Sequence, residues 1–245
     1  MKAVSEAAPA AIATFDLARS SVRDLNQRLH GTAQTSGDGR VAPPTRVLIR
    51  NPGGRHAIAA GLDGPFEVEI EGHVGYYCAG MNKHATVRVK GNCGVGVAEN
   101  MMSGAVIIEG SASQSAGASA RGGLLVIQGD ASARCGISLK GADIVVRGSV
   151  GHMSAFMAQK GTIVVCGDAG DSLGDSLYEA RIYVRGSASS LGADCIEKEM
   201  REEHLRELGA LLERAGIDDI DASDFRRYGS ARRLYNFQID NVGSY

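Results

Sequence analysis

The chain has no tryptophan, and aromatic residues fill only 5% of its 245 positions. A core made without large rings must be packed from small and β-branched side chains. Surplus charge is missing too: 26 basic and 28 acidic residues leave a formal net charge of −2, which gives no global field to attract nucleic acid or an anionic membrane. No apolar run approaches the roughly 18 residues of a membrane span. The start, Met1 to Glu6, lacks the apolar stretch of a signal peptide, so the expected compartment is the cytoplasm. The five cysteines, Cys78, Cys93, Cys135, Cys166 and Cys195, include no CxxC pair. An odd count makes a poor disulfide framework, and they read as reduced thiols.

What the chain has in excess is glycine, 33 residues, about twice the usual share. Gly72, Gly91, Gly110, Gly129, Gly148, Gly167 and Gly186 follow one another at intervals of 19 residues with no insertion. Each is preceded by a strand-like run, from EVEIE and TVRVK to TIVVC and RIYVR. The residues four and two before the glycine are always aliphatic, from Val68 and Ile70 to Ile182 and Val184, which places them on one face of a strand. The third residue after each glycine is Gly or Ser, and the sixth and seventh are small except at Val97 and Leu173. A fixed period near 20 with one strand and several small-residue corners describes coils that stack in parallel and bury a continuous aliphatic ladder. The predicted fold is all-β: a right-handed, single-stranded parallel β-helix of about eight coils, the first beginning near Arg46 because Gly53 lies 19 residues before Gly72. These seven glycines are expected to be structural.

The repeat absorbs several motifs that would otherwise suggest chemistry. GNCGVGVAENMMSG, after the strand TVRVK, looks like a phosphate-binding glycine loop. A Rossmann loop, however, leads into one long helix, and here another strand begins 14 residues after Gly91. Gly170 to Gly174 spells the GxSxG of a nucleophile elbow, but its glycines fall in the small-residue columns and only His204 follows as a base. His30, His56, His73, His84 and His152 show no ligand spacing. Cys78 and Cys135 share a coil position three coils apart, roughly 14 Å, too far to hold one metal. No catalytic, cofactor-binding or metal-binding residue is expected.

Outside the repeat the sequence predicts three regions: an extension over 1–44, the β-helix over 45–196, and a helix with a docking tail over 197–245. Residues 1–13 are expected to lack order. A short capped helix from Ser21 to Gly31 and a linker to Pro44 follow. Ile196 to Ala215 has apolar residues at helical spacing with Gly216 as a stop, and is expected to cover the open end of the rod. The locally basic tail carries Tyr228, Arg232, Arg233, Tyr235 and Phe237, types favoured as interface anchors, and is expected to dock a partner protein.

The glycine-rich coils, above all GHVGYYCAGMNKHATVRVKGNCGVGVAENMMSG followed by GGLLVIQGDAS, resemble the GXGXG domain of the glutamate synthase large subunit. The resemblance covers residues 45–196. GRHAIAAGLDG, VGHMSAFMAQKG, SLGADCIEKEM and RRYGSARRLYNFQIDN extend it to the free-standing β-helix subunit of N-methylglutamate synthase, a three-part glutamate-synthase-like enzyme. The resemblance implies a structural subunit without its own active site. It would sit in a hetero-oligomer with an amidotransferase-like subunit and an FMN-binding subunit, in which FMN and an iron–sulfur cluster are expected. Such a complex converts glutamate and methylamine to N-methylglutamate and ammonia. More distant is a likeness to the β-helix subunit of formylmethanofuran dehydrogenase and its formyltransferase/hydrolase counterpart. An independent β-helix enzyme acting on polysaccharide is the third reading, but coils of constant length leave no long loops to build a cleft.

Overall fold

The computed structural model describes residues 13–32 and 45–233. Its strands are β1 (Ala13–Asp16), β2 (Thr45–Arg50), β3 (Phe66–Glu71), β4 (Thr86–Val89), β5 (Ala105–Ile108), β6 (Leu124–Ile127), β7 (Lys140–Val146), β8 (Lys160–Val165), β9 (Arg181–Val184), β10 (Cys195–Lys198) and β11 (Arg226–Ser230), with helices α1 (Val22–Thr32) and α2 (Glu202–Arg214). All eleven strands lie in one sheet, in chain order from β1 to β9 and then β11 and β10. Strands β1 to β9 pair in parallel, one per coil, which makes the molecule a parallel β-solenoid.

The aliphatic ladder forms as the repeat predicts. Val68, Val87, Val106, Leu125, Ile144, Ile163 and Ile182 stand in one register column, each opposite the next, and all are buried. A second side of each coil contributes single bridges, from Val74–Cys93 through to Ala169–Ala188. The third side is built from left-handed backbone. Tyr77, Ala79 and Met81 have φ of 59°, 51° and 56°, and the same columns remain left-handed at Ser115, Gly117 and Ser119 and at Met153, Ala155 and Met157. Ala79, Gly117 and Ala155 each stand third in a turn of the type that takes positive φ there, closed by Gly80 N–H to the Tyr77 carbonyl, Ala118 N–H to that of Ser115 and Phe156 N–H to that of Met153. Bonds to neighbouring coils over-determine these conformations: Tyr77 N–H reaches the Val95 carbonyl at 2.8 Å, Ala79 N–H that of Ile58 at 3.0 Å and Met81 N–H that of Glu99 at 2.7 Å.

The first coil departs from the 19-residue register. Arg50 pairs with Glu71 and Asp63 with Lys83, so Gly53 is not the counterpart of Gly72. One extra residue falls between Arg50 and Asp63, where Asn51, Gly53 and Gly54 have positive φ and Arg55 N–H bonds to the Pro52 carbonyl, and another between Asp63 and Glu67, which pairs with Thr86 at the regular spacing.

Both ends of the rod carry caps. At the N-terminal end β1, which includes Ala13 of the stretch expected to lack order, adds a parallel strand to β2. Helix α1 starts as predicted, with Ser21 Oγ accepting the Asp24 N–H at 3.1 Å, and buries Leu25 and Leu29. Its Asn26 serves the first coil, donating to the Ala57 carbonyl and accepting the Ala59 N–H. At the other end β11 pairs antiparallel with β9 and with β10, ending the parallel stack.

Helix α2 differs from expectation in start and in place. Cys195–Lys198 are strand β10, running across the boundary drawn at residue 196, so the helix begins only at Glu202. It covers the outer face of the later strands rather than the open end. Leu208, Leu211, Leu212 and Ala215 pack with Ile217 and Phe225 on Val126, Val145, Val164, Cys166 and Tyr183. Pairs at the rim, Arg214–Asp143 and Arg181–Glu207 from the helix and Arg147–Asp219 and Arg185–Asp224 from the segment after it, tie this region to the strands, each adding little stability alone. The stop is as read: Gly216 has φ 71°, and Ile217 N–H reaches back to the Leu212 carbonyl.

Beneath α2 the Tyr183 ring is fully buried and its hydroxyl has no hydrogen-bond partner among the described residues. An unsatisfied buried hydroxyl costs roughly 1 to 3 kcal/mol. Tyr183→Phe is therefore expected to hold or raise the melting temperature, and a clear drop in a thermal melt would show that the hydroxyl finds a partner in solution.

Candidate functional site

The repeated glycines are occupied by stacking. Gly110 N–H bonds to the Gly91 carbonyl, and the same bond recurs at Gly129, Gly148, Gly167 and Gly186. A Cβ at Gly129 would stand 2.9 Å from the Gly110 carbonyl oxygen, and one at Gly148 2.8 Å from that of Gly129. Backbone thus lies on backbone at a distance no side chain permits. The residue after each glycine adds a second ladder that sequence reading missed. Asn92 Oδ1 accepts the Ser111 N–H at 2.8 Å, Ser111 Oγ that of Asp130 at 3.1 Å, Asp130 Oδ1 that of Ser149 at 2.8 Å, Ser149 Oγ that of Asp168 at 3.0 Å and Asp168 Oδ1 that of Ser187 at 2.7 Å. The accepting atoms of Asn92, Asp130 and Asp168 fill the space where Gly110, Gly148 and Gly186 would carry a Cβ. Glycine and acceptor require one another, and the signal was a polar residue directly after all seven glycines.

The loop-like GNCGVGV stretch is a floor for aromatic rings. A Cβ at Gly94 would stand 2.7 Å from Cδ1 of Tyr76, and one at Gly96 2.7 Å from Cδ1 of Tyr77. Tyr76 also stacks on His56 with ring centroids 4.5 Å apart. Both tyrosines remain about half exposed, as do Met81 and Met102.

The GxSxG serine does not meet a base. Ser172 has φ 58° and its N–H is bonded to Ser190 Oγ, while His204 Nδ1 accepts the Arg201 N–H at the start of α2. Burial first and the nearby Arg227 second lower the His204 pKa from its usual value. The unfolded imidazole titrates near 6.5, so neutral His204 contributes stability above about that pH, lost as pH falls toward the lower folded value. Thermal melts of the wild type are expected to decline across this acid range more steeply than those of His204→Gln, which keeps a back-bonding acceptor but has no proton to gain. Parallel curves would remove His204 as the cause.

The cysteines are all buried and free. Desolvation pushes Cys78, Cys135 and Cys195 up to about 12 and Cys166 to about 11, and raises Cys93 as well. Protonated interior thiols are poor nucleophiles and poor metal ligands. Among the described residues no group of three His, Cys, Asp or Glu side chains is arranged to hold a metal ion, and no helix is long and apolar enough to cross a membrane.

The tail residues separate. Tyr228 is 3% exposed and belongs to the rod's main core; it stands opposite Ile182 in β11, in line with the aliphatic ladder. This corrects the expectation of an exposed anchor, because its ring closes the rod from within. Arg232 pairs with Glu179 at 2.9 Å, and Arg233 N–H donates to Asp194 Oδ1. Tyr235 and Phe237 lie outside the described residues.

The chain is 60% identical over 231 residues to Protein GlxC of Rhizobium meliloti (strain 1021), covering 94% of this chain and 99% of that protein. No family profile matches.

Proposed function

The chain belongs to the GlxC family, and from that premise we propose that it is a non-catalytic scaffold subunit of a glutamate-synthase-like complex, with N-methylglutamate synthase as the specific assignment. It holds an amidotransferase-like subunit and an FMN-binding subunit in register, and FMN and the iron–sulfur cluster reside in the partner. The observation that carries this reading is the use of the repeat's glycines. They bear coil on coil and support the Tyr76 and Tyr77 rings, as befits a rigid rod that presents surfaces. The motif likeness to the GXGXG domain supplies the glutamate-synthase context. Exposed Tyr76, Tyr77, Met81 and Met102, and exposed Arg232 and Arg233 after β11, offer contact surfaces, and Tyr235 and Phe237 are the further docking residues of this reading.

Co-expression of a tagged chain with the two partner subunits tests this. The chain purified alone should show no flavin absorbance, whereas the co-expressed complex should carry flavin and form N-methylglutamate from glutamate and methylamine. Flavin in the singly expressed chain, or full activity of the partners without it, would overturn the proposal. Activity with a different amine would retain the scaffold and replace the substrate.

A further inference from the structure

The C-terminal end of the rod holds charges that coil stacking does not use. A cleft of about 430 Å³ lies between the turn at Tyr178–Arg181, the end of β10, the start of α2 and strand β11. Its cationic side chains are Arg181, Lys198, Arg201, Arg227 and Arg232. Three of them have carboxylate partners: Arg181 with Glu207, Arg201 with Glu199 and Arg232 with Glu179. Lys198 and Arg227 form no ion pair among the described residues; the Arg227 Nε–H donates instead to the Glu199 carbonyl at 3.0 Å.

These two unpaired cations are direct partners in the antiparallel register of β10 and β11. Like charges so opposed repel, because paired residues project from the same face of the sheet at close range. The Lys198 stem runs over Gly229, where a Cβ would stand 3.5 Å from its Cγ. The row continues to Tyr183, opposite Arg227 on β9, whose hydroxyl has no hydrogen-bond partner among the described residues. Three neighbouring strands thus bring these donors together; the Glu199 carbonyl accepts from Arg227 Nε–H, and among the described residues no carboxylate pairs with Lys198 or Arg227. Burial first, with Arg181 and Arg201 nearby, lowers the Arg227 pKa from its usual value, against an opposing pull from Tyr183 and Glu203.

We propose that this cleft binds a small oxyanion, a phosphate or a carboxylate, between Lys198 and Arg227. The planar guanidinium fork suits two oxygens of either group and the ammonium supplies a point charge. An anion there converts the cross-strand repulsion into two charge-assisted contacts. The site is a property of this chain alone and does not depend on the scaffold reading.

The full chain can be titrated with inorganic phosphate and, separately, with succinate at millimolar concentrations, by calorimetry and thermal melts, with sodium chloride at matched ionic strength as control. Saturable binding and a rise in melting temperature beyond the chloride control are expected for at least one. Saturation by phosphate alone assigns a phosphate group, by succinate alone a carboxylate, and by both a general oxyanion site. Lys198→Ala should weaken binding about tenfold, roughly 1.4 kcal/mol, yet melt at or above the wild-type temperature without the anion, because it removes the repulsion. Arg227→Gln should weaken binding similarly. If neither anion exceeds chloride, or if Lys198→Ala binds as well as wild type, the cleft is not an oxyanion site.

Discussion

Truncation before Tyr228 is expected to leave a chain that no longer melts cooperatively. Strand β11 is the partner that pairs with β9 and carries β10 beyond it, so its loss opens the last coil and exposes a parallel edge ready to pair with other chains. Tyr228→Ala tests the same point with one side chain. The ring is 3% exposed in the main core, and deleting a buried aromatic typically costs about 3 to 5 kcal/mol, a large part of the roughly 5 to 15 kcal/mol available to a domain. Chemical denaturation reads the loss directly. A Tyr228→Ala midpoint equal to wild type would place the ring outside the core and return it to the role of an exposed anchor.

Gly136→Val should be comparably damaging. Gly136 has φ 68° and its Cβ would overlap Cδ1 of Ile163. Ala79, Ala98 and Ala155 hold the same column at similar φ, so the fold accepts a methyl in this conformation where the facing side chain leaves room. Valine adds branching, which left-handed backbone disfavours, and overpacking of roughly 1 to 3 kcal/mol. A total near 3 kcal/mol or more is expected from equilibrium unfolding, whereas an unchanged midpoint would show that the corner is looser than its packing implies.

Much of the coil was legible because its cause is local and repeats. A glycine, two aliphatic residues and small corner residues recur at a fixed spacing, and each occurrence fixes one coil against the next. The polar ladder was equally legible in principle, since His73, Asn92, Ser111, Asp130, Ser149, Asp168 and Ser187 all follow the repeat glycine, but its meaning appears only when the next coil supplies the N–H. The place of α2 had a signal too. The outward strand position changes from Glu69 and Arg88 to Ile107, Val126, Val145, Val164 and Tyr183, and an apolar outer face calls for a cover. Strand β10 was missed because Cys195–Lys198 runs into a helical pattern with no glycine between them, and β11 because an antiparallel cap has no place in a parallel repeat. The opposition of Lys198 and Arg227 arises from that pairing and from nothing adjacent in sequence.

If the repeated glycines exist to stack the coils, Gly148 and Asp130 must act as one unit, and a double-mutant cycle on unfolding free energy measures this most directly. Gly148→Ala places a methyl where Asp130 Oδ1 now sits and so forces the carboxylate off the Ser149 N–H. With Asp130→Ala already present that bond is gone, and Gly148→Ala should cost less by about 1 kcal/mol, the net worth of one such hydrogen bond. Costs that add to within roughly 0.3 kcal/mol would contradict the stacking role and reopen the search for a ligand on the glycine column.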